Sequence, residues 1–329
     1  MFRDRIKISG LDISPPLFLA PMAGLTHSAL RQLILDFGPV GLLSTEMLSA
    51  SSLPHENPDI SPYLIRTPRE RPISYQLLVY RADHAEKAVE KILTLGADCI
   101  DINLGCGAPK VVKKGGGIAL SRDPDRLKEI IRRIKELCSL PITVKIRLGQ
   151  RSDTSASTFK DRCLFLQDLG IDALYIHARF DKEPFARPPR WEMTVKAIES
   201  LSIPAIINGG IFTIEDARRC FKITGADGIM IGRGAAIRPW IFRDICLCLF
   251  SKEGAQAQAP DLPATWLKFF QYLEELFPRE RRLGRLKEFT HYFSQNYAFG
   301  NRLAMSVQRS KTMAEAKIKA LEFFSRNSE

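Results

Sequence analysis

Asp98–Leu120 reads DCIDINLGCGAPKVVKKGGGIAL, an apolar run that opens into a loop rich in glycine and lysine with one cysteine near its start. The run from Cys99 to Leu104 is too short for a helix. It alternates too little for a strand with one wet face, so it reads as a strand buried on both faces, as parallel sheets require. Asn103 then ends the strand and Cys106 lies just beyond it, where βα loops can vary without disturbing the packed layers of a parallel barrel. Taken alone, a cysteine beside glycines is more often a small residue in a tight loop than a reagent. Its companions decide the matter.

The same unit recurs along the chain. Apolar runs at Leu17–Met22, Leu42–Met47, Pro72–Val79, Cys99–Leu104, Ile142–Leu148, Ala173–His177, Pro204–Asn208 and Gly228–Ile231 give eight strand candidates. Helical spacing follows seven of them, at His27–Phe37, Arg81–Leu95, Pro124–Leu137, near Thr158–Leu169, near Met193–Leu201, at Thr213–Ile223 and from near Pro239. Gly96, Gly170 and Gly225 punctuate helix ends, and Asp123-Pro124 is a cap followed by a first-turn proline. Eight strands alternating with helices predict a (β/α)8 TIM barrel followed by a small C-terminal helical domain, in preference to an open doubly wound sheet. The polar stretch Ser251–Ala264 marks a linker. The expected organisation is therefore a catalytic barrel over residues 1–250, a linker over 251–264 and a basic helical domain over 265–329. Its helices are expected at Trp266–Phe277, Leu286–Tyr297 and Thr312–Phe324.

The 329 residues carry a formal charge of +11, and Leu262–Glu329 holds 12 Lys/Arg against 7 Asp/Glu. A basic appendage of this kind fits a polyanionic partner as well as a merely soluble surface. Seven cysteines without paired C-x-x-C spacing argue against a disulfide framework and against a zinc cluster. No apolar run approaches a membrane span and the start MFRDRIKI has no apolar signal core, so the cytoplasm is the expected compartment.

The last residues of the eight strands are Met22, Glu46, Gln76, Asn103, Lys145, His177, Asn208 and Gly232, and seven of these can engage a polar ligand. Lys145 can alternatively serve as a structural cation paired with Glu46 or Asp101, and His177 as a structural histidine. Asn208-Gly209-Gly210 closes the seventh strand and Gly232-Arg233-Gly234 the eighth, the two loops where such barrels commonly hold a phosphate on backbone N–H groups. Gly115-Gly116-Gly117 lacks the Lys-Ser/Thr of a P-loop and reads as a flexible segment beside Cys106.

APMAGLTHSALR from Ala20, SYQL from Ser74, DINLGC from Asp101, APKVVKKGGGIAL from Ala108, TVKIR from Thr143, IHAR from Ile176, INGGIFT from Ile207 and GADGIMIGRGA with RPWIF from Gly225 resemble the flavin-dependent tRNA-dihydrouridine synthases, with the bacterial B branch nearest. The resemblance covers about Leu17–Arg243. It implies a barrel that carries FMN, takes electrons from NADPH and reduces the 5,6 double bond of uridines in tRNA. By the same resemblance, flavin contacts fall on Pro21, Met22, Ala23, Gln76, Lys145 and His177, with Asn103 orienting base or ring. Phosphate contacts fall on Asn208, Gly209, Gly210, Gly232 and Arg233, and the proton donor is Cys106. One departure stands out: the family usually reads Gly-Cys-Pro, and here Gly107 follows the cysteine.

A stacked uridine must be extracted from the folded RNA, at a cost of a few kcal/mol that phosphate contacts offset. Lys110, Lys113, Lys114, Arg179, Lys182, Arg187, Arg190, Arg279, Arg281, Arg282, Arg285 and Lys287 are the candidate contacts, on a protein expected to act as a monomer. The competing readings are an FMN-dependent reductase of a small pyrimidine or other non-RNA substrate, a Schiff-base lyase using Lys145, and an RNA-binding protein without activity. The basic appendage argues against the first.

Overall fold

A computed structural model describes residues 2–152, 155–251 and 258–327. Eight parallel strands form the barrel: β1 Leu17–Leu19, β2 Leu43–Ser44, β3 Ile73–Leu78, β4 Cys99–Asn103, β5 Ile142–Arg147, β6 Ala173–His177, β7 Ala205–Asn208 and β8 Gly228–Ile231. Each pairs with its neighbours in sequence, β8 returns to β1, and the Phe18–Leu42 bridge closes β1 on β2. The eight strands read from the sequence are these eight.

Alternation along the strands divides the barrel interior by height. Low in the barrel lie Phe18, Cys99, Tyr175, Ile206 and Met230, and the antiparallel hairpin Ile6–Ile8/Leu11–Ile13 packs Ile6, Ile8 and Ile13 against them. Toward the C-terminal end the inward positions turn polar, with Gln76, Asp101, Asn103, Lys145, His177 and Asn208 all buried or nearly so. The outward positions Tyr75, Leu77, Ile100, Ile102, Val144, Ile146, Leu174, Ile176, Ile207 and Ile229 join the core beneath the helices.

Local signals account for the helices. Pro124–Leu137 is capped by Asp123, which accepts from the Arg126 amide at 3.1 Å, and Ile214–Thr224 opens with a capping box between Thr213 and Asp216. The long segment after β2 forms a short strand, Leu48–Ser49, beside β3 and is pinned by buried Glu70, which accepts from Ser28, Arg31 and Gln32 on the first barrel helix.

The C-terminal region differs in detail from the expectation. Among the described residues it contains four α-helices, Leu262–Leu276, Arg279–Phe293, Gly300–Gln308 and Met313–Arg326. The unexpected Gly300–Gln308 buries only Gly300, Leu303 and Val307, too thin an apolar stripe to show as periodicity. Residues 252–257 of the expected linker lie outside the described residues. Its last three residues are the first turn of a helix, because Asp261 accepts from the Ala264 amide and Pro263 occupies a position that needs no amide hydrogen.

These helices share one apolar core with the barrel. The Phe269 and Phe289 rings stack at 3.8 Å, Phe277 meets the edge of the His27 ring at 4.6 Å, and Tyr272 donates to Asp36 at 2.6 Å. Each buried aromatic contributes about 1.5–3 kcal/mol, which holds the appendage against the first barrel helix.

Candidate active site

All twelve residues expected to hold a cofactor line one cavity of about 390 Å³ at the C-terminal end of the barrel: Pro21, Met22, Ala23, Gln76, Asn103, Lys145, His177, Asn208, Gly209, Gly210, Gly232 and Arg233. Half-buried Cys106 lines it too, and also lines a second cavity of about 500 Å³ bounded by Met47, Gly107, Lys182 and Phe185. The thiol stands at the seam between the two.

Cys106 is placed from below by β4. Asn103 Oδ1 accepts from the amides of Gly105 at 3.1 Å and Cys106 at 2.8 Å, and Asn103 Nδ2 donates to Gln76 Oε1 at 2.9 Å. Gln76 Nε2 in turn donates to Asp101 Oδ2 at 2.6 Å. The Gly107 side of the loop is open enough that a Cβ there would meet only Ile118 and Lys182 at ordinary contact distance.

The cavity floor is cationic. Lys145 Nζ donates to Asn208 Oδ1 at 3.0 Å; burial pulls its pKa down to about 8, against the opposing pull of Asp101. Asp101 is pushed up to about 7 by burial, with Gln76, Thr143 and Lys145 acting the other way. His177 is held well below the usual imidazole range, first by burial and then by Lys145, Arg147, Arg179 and Arg233 around it. A guanidinium only donates, so the 3.0 Å contact from Arg179 Nη1 makes His177 Nε2 an acceptor and leaves the ring proton on Nδ1.

At the far wall, Gly209 and Gly210 have φ of +104° and +76°. A Cβ on Gly209 would lie 2.7 Å from Arg179 Nη1 and 2.8 Å from His177 Cδ2, and one on Gly210 would lie 2.6 Å from Pro189 Cγ. Only glycine brings the backbone this close to the cavity, and Arg233 adds a cation beside it. An anionic group suits this corner.

Several expected residues have other employment. Arg179 is 2% exposed and donates to the carbonyls of Arg187 and Phe185, so it is part of the cavity wall and is not available on the outer surface. Arg285 pairs with Glu46 at 3.6 Å and fastens the C-terminal helices to the segment just after β2; Glu46 also accepts from the Gly24 amide at 2.5 Å and does not line the cavity. Arg282 donates to the Phe277 carbonyl at 2.7 Å, closing the end of the preceding helix. Lys110, Lys113 and Lys114 are exposed and Lys287 is half-buried.

Other lining residues were missed. Arg147 shares a face with Lys145, which a two-residue period would have indicated. Phe185 lies against His177, Arg147 and Arg233, and Glu288 and Tyr292 reach the cavity from the helix Arg279–Phe293; no local pattern announces any of the three.

Comparison with known proteins gives this geometry a lineage. A sequence model described as dihydrouridine synthase matches residues 18–328. The chain is 32% identical to a probable tRNA-dihydrouridine synthase 1 from Synechocystis sp., over 87% of this chain and 79% of the relative. It is 31% identical to a tRNA-dihydrouridine(16) synthase from Aquipseudomonas alcaligenes, over 89% and 95%, and 32% identical to a tRNA-dihydrouridine synthase B from Pseudomonas aeruginosa, over 82% and 80%. Among solved structures, 6-hydroxypseudooxynicotine amine oxidase from Pseudomonas geniculata N1 shares the fold at a TM-score of 0.57 and 12% identity, over 74% of this chain and 48% of that longer one. With a family match over nearly its full length and relatives above 30% identity across most of it, this chain belongs to the dihydrouridine synthase family.

Proposed function

We propose that the protein reduces the 5,6 double bond of particular uridines in tRNA to dihydrouridine, with FMN as resident cofactor, NADPH as electron donor and Cys106 as proton donor, working as a monomer in the cytoplasm. The observation that carries the reading is the position of Cys106 on the boundary between a cationic cavity with a glycine-built anion corner and a second, open cavity of base-accepting size.

The donor set fits FMN. The Gly209–Gly210 backbone, Gly232 and Arg233 suit a phosphate; Pro21, Met22 and Ala23 offer an apolar edge; Gln76 and Asn103 offer amide groups, and Lys145 a buried cation. Bound there in its reduced form, the flavin supplies hydride to C6 of the uracil. The Lys145 ammonium, supported by Asp101 against the burial that lowers its pKa, balances negative charge on the cavity floor, while neutral His177 adds none. Cys106 Sγ holds the proton that goes to C5, and Asn103 keeps the loop beneath it in place. Lys182 lines the second cavity and Lys110, Lys113 and Lys114 lie exposed on the segment that follows Cys106, suited to the phosphates flanking an extruded base.

Cys106→Ala tests the assignment. The variant is expected to keep flavin and tRNA binding while dihydrouridine formation, followed by mass spectrometry of a tRNA substrate, slows by roughly 10²–10⁴-fold, the usual worth of a positioned acid. Unimpaired turnover rejects Cys106 as the donor. A purified protein that takes up no FMN rejects the whole reading.

A further inference from the structure

Asp101 is 1% exposed, does not line either cavity, and has no part in the chemistry above. It nevertheless stands at the head of a chain of hydrogen bonds that ends on the reactive loop. Its Oδ1 accepts from Thr143 Oγ1 at 3.0 Å and its Oδ2 from Gln76 Nε2 at 2.6 Å. Because Gln76 spends its amide nitrogen on the acid, its oxygen is left to accept from Asn103 Nδ2. Because Asn103 spends its nitrogen on Gln76, its oxygen is left to accept from the Gly105 and Cys106 amides. Reversing either amide would set oxygen against oxygen and nitrogen against nitrogen in a buried site, where each unmade bond is costly.

An amide pair has no polarity of its own; one end must be anchored by a group that can play a single role. An ionised carboxylate only accepts, and the Thr143 hydroxyl fixes which way it faces. We propose that Asp101 is a positioning residue, whose acceptor oxygen sets the direction of the Gln76 and Asn103 amides and thereby holds the Cys106 loop at the seam between the two cavities. Burial pushes the Asp101 pKa up to about 7 while Gln76, Thr143 and Lys145 pull it back toward the ionised carboxylate, and a proton taken up on Oδ1 still leaves Oδ2 as the acceptor facing Gln76. The Gly107 position sharpens the need: with glycine after the cysteine the loop is freer in backbone terms, so restraint comes from Asn103 beneath it and from the Ile118 amide, which donates to the Cys106 carbonyl at 3.0 Å.

Any effect of Asp101 on turnover rests on the function proposed above, so the test has an arm that does not. Asp101→Leu, Asp101→Asn and Gln76→Leu are compared with the unmodified protein for the rate at which iodoacetamide alkylates Cys106, read peptide by peptide in a mass spectrometer, and for kcat and KM on tRNA. Asparagine can turn its oxygen to Gln76 and its nitrogen to the Thr143 hydroxyl, so it preserves the polarity while removing the charge. Both leucine variants are expected to alkylate at Cys106 at least about fivefold faster through a loosened loop. Their kcat is expected to fall roughly 10–100-fold, in line with misplacement of a reacting group. Asp101→Asn alkylates at Cys106 within about twofold of the unmodified protein, because the direction of the amide chain survives; its kcat reports in addition on Lys145, whose pKa the Asp101 charge holds up. If alkylation is unchanged in both leucine variants, or if Asp101→Asn alkylates as fast as Asp101→Leu, the proposal is overturned; the second result would make Asp101 simply a counter-charge for Lys145. Should Asp101→Leu fail to fold, Gln76→Leu cuts the same chain and decides. An unmodified protein that forms no dihydrouridine would remove the functional reading and leave the alkylation result standing.

Discussion

Replacing Gly209 by alanine isolates the contribution of the backbone to the anion corner. The residue sits at φ +104°, where an L side chain is strained by about 1–2 kcal/mol. The added Cβ would also meet Arg179 Nη1 at 2.7 Å and His177 at 2.8–3.0 Å. Neither neighbour yields easily: His177 is 8% exposed, and Arg179 is held by carbonyls of the following loop. Overpacking of that kind adds about 1–3 kcal/mol. Reaching the complex with FMN in the original loop geometry therefore costs about 2–5 kcal/mol more than in the unmodified protein. The penalty appears as lost stability if the loop keeps its shape and as lost FMN affinity if the loop gives way. Converted wholly to affinity it is roughly 30- to 4,000-fold. Denaturant unfolding of the flavin-free protein and titration of that protein with FMN measure the two parts. Gly225→Ala is the control, since Gly225 has φ +63° but nothing within 4 Å of an added Cβ, so it incurs the strain alone and leaves FMN affinity unchanged. If the summed loss for Gly209→Ala does not exceed that for Gly225→Ala, the claim that this backbone is built for close approach is wrong.

Three further outcomes follow from the same geometry. His27 is buried against Phe269 and Phe277, neither of its ring nitrogens has a hydrogen-bond partner among the described residues, and burial with Arg285 and Arg31 nearby holds its pKa well below the usual range. The unfolded chain takes up a proton below about pH 6.5 and the folded one does not, so this group's contribution is lost as pH falls toward its folded pKa. His27→Leu should raise the Tm at neutral pH and flatten part of its decline between pH 7 and 5.5; an unchanged slope counts against it. Arg285→Met should destabilise by about 1–3 kcal/mol by stranding the Glu46 carboxylate, and adding Glu46→Gln should restore much of the loss in a denaturant cycle; strictly additive losses would show that the pair does not couple. Affinity for tRNA should fall steeply with salt, and Lys110→Ser with Lys113→Ser should weaken binding and make the salt slope shallower by about one for each phosphate left without its lysine. A flat salt dependence would exclude an electrostatic clamp.

The barrel, its eight strands and the strand-end residues that line the cavity, all of the eight except Glu46, were legible in the sequence for one reason, whereas Pro21 and Ala23 rest on the family resemblance. In a parallel barrel every strand ends at the same face, so reading the last residue of each apolar run picks out the residues that meet there. Gln76, Asn103, Lys145, His177 and Asn208 come together from five strands in this way. Cys106 follows from β4 by a loop of only two residues, too short to carry it elsewhere.

What the sequence left open is governed by packing between parts of the chain that are far apart. Arg179 and Arg285 look alike as basic residues, and only the packing of the following loop and of the C-terminal helices against the barrel buries one in the cavity wall and binds the other to Glu46. Phe185 enters the site from an irregular loop and Tyr292 from a helix whose inward face depends on its angle to the barrel, so neither has a periodic signature. The direction of the Asp101, Gln76 and Asn103 hydrogen bonds depends on the register that sets Gln76 beside Asp101 and Asn103 beside Lys145. Local pattern determines which residues arrive at the mouth of the barrel. Register and packing angle, properties of paired elements that no single segment contains, decide which of them touch.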